Sequence, residues 1–191
     1  GNDLWGFGIW ISNGFADAIT RNIDIDHNTI SSGTGAGGSA TGGIVLNSAG
    51  RISSVRIRNT IIQNVTGYGC IGFWNGAGTI DSITVQNNDL YNNVNTNNFY
   101  YHSGKVVTNL VNSGDIETDP LFRSTTDFHL QSISPAINAG IDVGLTTDTD
   151  GHKVPFHGIP DIGAFEWGVY PMKNHSGQLL RNTGGSALRK Y

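Results

Sequence analysis

The chain is short of charge, cysteine and proline. Only 14% of its 191 residues are charged, well under the ~25% usual for a globular domain. One cysteine, Cys70, rules out an intrachain disulfide. With Gly69 and Ile71 beside it, Cys70 reads as a small buried hydrophobe and not as a nucleophile. Five prolines and no three-residue glycine period exclude a collagen-like chain. No apolar run approaches the ~18 residues of a membrane-spanning helix. The opening Gly1-Asn2-Asp3-Leu4-Trp5 lacks the basic and apolar regions of a signal peptide and also an initiator Met, as expected of a processed or trimmed chain.

What the chain has in excess is Gly (27), Asn (20), and Ile (20) over Leu (10). Branched side chains suit a pleated sheet, while Gly and Asn tolerate left-handed turn conformations. The composition therefore predicts short strands and tight turns and argues against a helical bundle. The length suits one domain able to bury its own core. Net charge is −4, but residues 1–166 carry 7 Lys/Arg against 15 Asp/Glu, whereas residues 167–191 carry 4 Lys/Arg and no acid. An acidic body argues against a nucleic-acid partner.

A two-part unit repeats along the chain. One part is an alternating strand followed by an Asn-bearing turn: Ile23-Asp24-Ile25-Asp26-His27-Asn28, Val55-Arg56-Ile57-Arg58-Asn59 and Ile83-Thr84-Val85-Gln86-Asn87-Asn88. The other is a short apolar strand: Gly8-Ile9-Trp10-Ile11, Gly43-Ile44-Val45-Leu46 and Cys70-Ile71-Gly72-Phe73. Both step together with a period near 30, the mark of solenoid coils. Parallel stacking predicts inward columns Ile23/Val55/Ile83 and Ile25/Ile57/Val85. It predicts outward columns Asp24/Arg56/Thr84 and Asp26/Arg58/Gln86, and places Asn28, Asn59 and Asn88 at one turn. Ser31–Gly43 and Asn92–Ser103 read as loops that vary between coils. The expected division is coils over 1–117, a C-terminal capping segment over 118–168 and a basic tail over 169–191.

These coils resemble right-handed single-stranded parallel β-helix proteins, the class that includes polysaccharide lyases, glycoside hydrolases and phage tailspikes. From Thr118 the period gives way to Asp119-Pro120-Leu121-Phe122, Asp127-Phe128-His129-Leu130, Ser134-Pro135-Ala136-Ile137-Asn138-Ala139-Gly140 and Asp161-Ile162-Gly163-Ala164-Phe165-Glu166. This string resembles the end of the bacterial choice-of-anchor β-helix family. Val154 stands where that family usually carries Arg, with Lys153 beside it. The segment reads as a cap in which Phe122, Phe128, Ile137, Phe165 and Trp167 lie across the last coil, covering its open edges. At the other end the expectation is either further coils upstream or capping by Leu4, Trp5 and Phe7. The tail from Val169-Tyr170-Pro171 is similar to the start of a type IX secretion sorting domain; a disordered basic tail is the alternative.

The resemblance implies a secreted or cell-surface bacterial protein that engages polysaccharide. Two classes stay open: a polysaccharide lyase or glycoside hydrolase, and a non-catalytic adhesin or structural solenoid that displays loops. For chemistry, Asp26, His27 and Arg58 are candidate groove residues with Arg56 beside them, although Asp24–Arg56 and Asp26–Arg58 are equally readable as a cross-rung charge ladder. In Phe99-Tyr100-Tyr101-His102-Ser103-Gly104-Lys105 the rings of Tyr100 and Tyr101 suit sugar faces, while His102 and Lys105 are candidate proton carriers. The alternative is that Phe99 and Tyr101 plug the coil. Asp148 and Asp150 before Gly151, with Asp161 nearby, fit a hard-cation loop for Ca²⁺; an Asx-turn explains the same residues.

Overall fold

The computed structural model describes residues 6–31, 41–67, 69–74, 77–93, 98–156 and 158–168, with 170–171, 178 and 189–190. Three features expected from the sequence lie outside what is described: the capping residues Leu4 and Trp5 with the side chain of Phe7, most of the loop after Ser31, and the bulk of the tail.

Among the described residues the fold is all-β apart from one short 3-10 turn, His102–Gly104. Strands β1 (Gly6–Asn13), β2 (Ile19–Asp26) and β3 (Thr29–Ser31) form a first coil. The second coil repeats them as β4 (Thr41–Ser48), β5 (Arg51–Arg58) and β6 (Ile61–Gln63). The third has β7 (Ile71–Trp74) and β8 (Thr79–Gln86), and the fourth has β9 (Phe99–Tyr101) and β10 (Val107–Ser113). Like strands pair in parallel, giving sheet A (β1-β4-β7-β9) and sheet B (β2-β5-β8-β10). Sheet C is β3-β6, extended by the bridges of Asp89 to Ile61 and to Ile116. This is a solenoid-like stack of parallel coils. β9 stands inside the stretch expected to be a loop, so a fourth coil follows the three read from the sequence.

Alternation in sheet B works as expected. Ile23 pairs with Val55 and Val55 with Ile83, and Ile25, Ile57 and Val85 form the next inward column. These residues join Ile44, Leu46, Ile71 and Phe73 of sheet A in one core, with Cys70 fully buried inside it. Burial pushes the Cys70 thiol up to about 12, as expected of an inert core cysteine.

The turn column differs from expectation by one residue. Asp26, Arg58 and Gln86 are in register, and so are Thr29 and Ile61. Asn59 therefore stacks with His27 and Asn87, while Asn28 stacks with Thr60 and Asn88. The reason is conformational: His27, Asn59 and Asn87 have φ of 52°, 50° and 51°, and Gly114 continues the column at 72°. A second left-handed column, Asn22, Ser54, Ser82 and Asn109, kinks every strand of sheet B. Asn is the non-glycine residue best suited to this region. The neighbouring amide of Asn88 bridges coils instead, accepting from the Thr60 amide at 2.9 Å and donating to the Ile57 carbonyl at 3.0 Å.

The segment after Thr118 lies beside the last coil, where Phe122, Ile137 and Trp167 share a cluster with Ile116. It runs as a strap along the side of sheet C. Ile61 packs with Leu130, Ala136 and Ile162, flanked by Ile116, Phe122, Ile137, Ala139 and Trp167. The turn column binds it: Asn87 donates to the Ala139 carbonyl (2.9 Å), Gly163 N–H to the Asn59 carbonyl (2.8 Å), and Ala164 N–H to Thr29 Oγ1 (3.1 Å). The strap thus crosses from the fourth coil back to the first. Val106, just before β10, and Val111, in the outward column of Asp24, Arg56 and Thr84, are 72% and 55% exposed. In the tail, Tyr170–Pro171 pairs antiparallel with Arg189–Lys190.

Candidate functional site

The strap brings together two groups that lie far apart in sequence. Asp26 and His27 from the first coil, with Leu145, Thr147, Asp148, Thr149 and Ala164 from the strap, line a cleft of about 250 Å³. Its ionisable groups are each bound within the protein. Arg58 grips Asp26 through both carboxylate oxygens, at 2.8 and 2.7 Å, and reaches Asp24 at 3.0 Å. His27 Nε2 accepts from Asn59 Nδ2 at 2.8 Å. Burial lowers its pKa, outweighing the opposing hydrogen bond with the Gly163 backbone and the charge of Asp26. Asp148 Oδ1 accepts the amides of Asp150 (3.0 Å) and His152 (2.7 Å), and its Oδ2 accepts that of Glu166 (3.0 Å).

The outward charges of sheet B form a ladder. Arg56 pairs with Asp24 through both its Nε and its Nη2, and Arg56 holds the Asp24 carboxyl below its ordinary range. A further rung, Arg51 with Asp81 at 2.8 Å, was not apparent from sequence because the partners sit two positions apart across the register. Exposed pairs of this kind contribute roughly 0.2–1 kcal/mol each.

Asp148, Asp150 and Asp161 do not converge. Asp150 accepts from His129 Nε2 at 3.0 Å, and the other nitrogen of that ring bonds Asp127. Asp161 lies buried in the strap, accepting the amide of Asn138 at 2.8 Å and that of Trp167. Its burial raises it to about 6. Glu166 in turn accepts the amides of Asp161 and Phe156. These carboxylates are staples for loop backbone. Among the described residues no group of three or more His, Cys, Asp or Glu is placed to hold a metal.

Lys105, Tyr100, Tyr101 and His102 stand apart from this cleft, at the last rung of sheet A. Lys105 donates to the Gly78 carbonyl, and burial lowers its pKa. Tyr101 lies in the inward column and tilts against Phe73 at 5.3 Å, while Phe99 stacks on Phe73 at 6.1 Å. Tyr100 takes the opposite face. There the structure assembles a row that the sequence did not reveal: Trp10 meets Trp74 edge-on at 5.5 Å, Trp74 stacks on His102 at 4.9 Å, and Tyr100 tilts against His102 at 6.1 Å. The register that gathers them is Trp10/Val45/Gly72/Tyr100 beside Ser12/Asn47/Trp74. The sequence already aligned Trp10 with Val45 and Gly72, as the strands pair; the missing element was β9, which adds Tyr100 to that column. Asn47 and Ser12, hydrogen-bonded at 3.4 Å, place an amide and a hydroxyl next to the rings.

Comparison with family models, with curated proteins and with solved structures finds no match. The functional argument therefore rests on the geometry of this chain. Among the described residues no helix is long and apolar enough to cross a membrane.

Proposed function

We propose that this is a right-handed parallel β-helix of the choice-of-anchor type, secreted or held at the bacterial surface, which binds polysaccharide without cleaving it. The aromatic row on the outward face of sheet A carries the reading. Partly exposed rings spread over first, third and fourth coils, with Asn47 and Ser12 alongside, suit the apolar faces and hydroxyls of a sugar chain. Right-handedness is the hand strongly favoured for parallel crossover connections. Kinship and location outside the cell are supported by the C-terminal motifs.

Binding is favoured over a lyase or hydrolase by the state of the ionisable groups. An enzyme of either kind requires a proton carrier, or a pair of carboxylates, directed at substrate. Here Asp26, Arg58, His27, Asp148 and Lys105 each hold a partner within the protein. The test is a panel of neutral and uronate-containing glycans, read by affinity and by product release. Binding without new reducing ends or unsaturated uronates is expected. Turnover of any glycan would overturn the non-catalytic reading, and absence of binding to all would overturn the polysaccharide reading.

A further inference from the structure

Charge is divided between the two large sheets in an all-or-none way. The strands of sheet A, Gly6–Asn13, Thr41–Ser48, Ile71–Trp74 and Phe99–Tyr101, contain no Asp, Glu, Lys or Arg. The loops that lead into them, 32–40, 64–70 and 91–98, contain none either. Of the charged residues between positions 4 and 104, all but Asp17 and Asp89 stand in β2, β5 and β8 of sheet B, across the core that the two sheets share.

The aromatic row lies on the uncharged side. Trp10 and Ser12 are exposed there, while Trp74, Tyr100, His102 and Asn47 are half-buried. Lys105 is the first cation after β9, and its ammonium donates to the Gly78 carbonyl. A carboxylate laid on the row would lose hydration without gaining a counter-charge from the sheet, which is costly. The faces of the rings are themselves negative and add to that cost. The body acts in the same direction at longer range: residues 1–166 carry 7 Lys/Arg and 15 Asp/Glu, an excess of acid that repels a polyanion before contact. What the row does offer is apolar ring faces, an amide and a hydroxyl, the partners of an uncharged pyranose.

On the reading that sheet A binds polysaccharide, we propose that the glycan is neutral, an uncharged pyranose chain and not a polyuronate. The missing charge of sheet A is then its specificity device, because nothing in the sheet replaces the water that a uronate must give up. Affinity for the neutral chain is insensitive to salt, since no ion pair forms.

Matched pairs of glycans test this with the full chain: glucan, mannan and galactan chains, each against its own C6-oxidised form. The members of a pair share backbone and linkage and differ in carboxylate charge. Titrations run at mildly alkaline pH, where free imidazole is neutral. At least one neutral chain is expected to bind with the same affinity at low and high salt, and its oxidised form on the order of tenfold more weakly. Ser12→Lys, at an exposed position beside Asn47, supplies the missing cation and should recover affinity for the oxidised form, in a salt-dependent way. An oxidised chain that wild type binds as well as its parent overturns the proposal and leaves the polysaccharide reading standing. So does neutral binding that weakens at high salt, or discrimination that Ser12→Lys leaves unchanged. Binding to no chain of either kind overturns both.

Discussion

Asn59 donates from one side-chain nitrogen to both His27 Nε2 (2.8 Å) and the Ile141 carbonyl (2.7 Å), tying two coils and the strap at a single residue. Its Oδ1 accepts the Ile141 amide at 2.9 Å, and its own carbonyl accepts that of Gly163. The position also demands φ of 50°. Asn59→Ala loses three side-chain bonds and strains the backbone, so a loss of about 2–4 kcal/mol is expected in denaturant unfolding. Asn59→Gly relieves the strain but not the lost bonds, and should fall between the two. Equal losses for both variants would show that the backbone conformation contributes nothing.

His27 gives the same junction an acid sensitivity. Its folded pKa lies below the ordinary value because burial disfavours the imidazolium. The unfolded chain therefore takes up the proton first as pH falls. Stability from this group is complete above about pH 6.5 and is lost as pH falls from there toward the lower folded value. His27→Asn keeps a residue that tolerates φ of 52° and removes the titration. The variant's unfolding free energy should vary less between pH 6.5 and 4 than that of wild type; parallel profiles would contradict this.

Sheet B was legible in the sequence because two patterns agreed there. Alternation placed Ile23, Val55 and Ile83 inward, while opposite charges at Asp24/Arg56 and Asp26/Arg58 marked the outward rungs. The turn register was misread because Asn59 is followed by Thr60 and Asn87 by a second Asn. Letter identity cannot tell which residue takes the left-handed conformation. β9 and β10 escaped notice for a related reason: Asn109 interrupts the alternation of Val107–Ser113, and Phe99–Tyr101 follows an Asn-rich stretch. The strap has no period at all. Its lateral course depends on the apolar column of Ile61 and Ile116 and on the amides of Asn59 and Asn87, which exist as a surface only once the coils have stacked.

Within that apolar column, Asp89 is an anomaly with an opposite pH signature. It bridges Ile61 and Ile116, is fully buried, and has one oxygen without a partner. Burial raises its carboxyl to about 7; the amide of Thr118 opposes this, while Asp119 and Glu117 add to it. The unfolded chain gives up this proton near pH 4, so stability falls as pH rises from about 4 to 7 and is flat above. Asp89→Asn should remove that slope. In wild type the His27 and Asp89 effects oppose one another between pH 4 and 6.5, so each is read from its own variant. An Asp89→Asn profile that still falls toward pH 7 would assign the slope elsewhere, Asp161 being the next candidate at about 6.

The aromatic row separates binding from folding at Trp10. Its ring is 41% exposed and meets Trp74 edge-on, so Trp10→Ala removes little core packing and should shift the melting temperature only slightly. If the row is where a sugar chain lies, the same variant weakens affinity on the order of tenfold, the equivalent of one lost ring contact of about 1–1.5 kcal/mol. Ile133→Ser, at a 76% exposed position on the strap, controls for non-specific apolar adhesion and should bind as wild type does. Titrating both variants with each glycan that wild type retains decides the matter. Unchanged affinity in Trp10→Ala would remove the row from the binding surface. A loss shared equally by Ile133→Ser would reduce the interaction to stickiness.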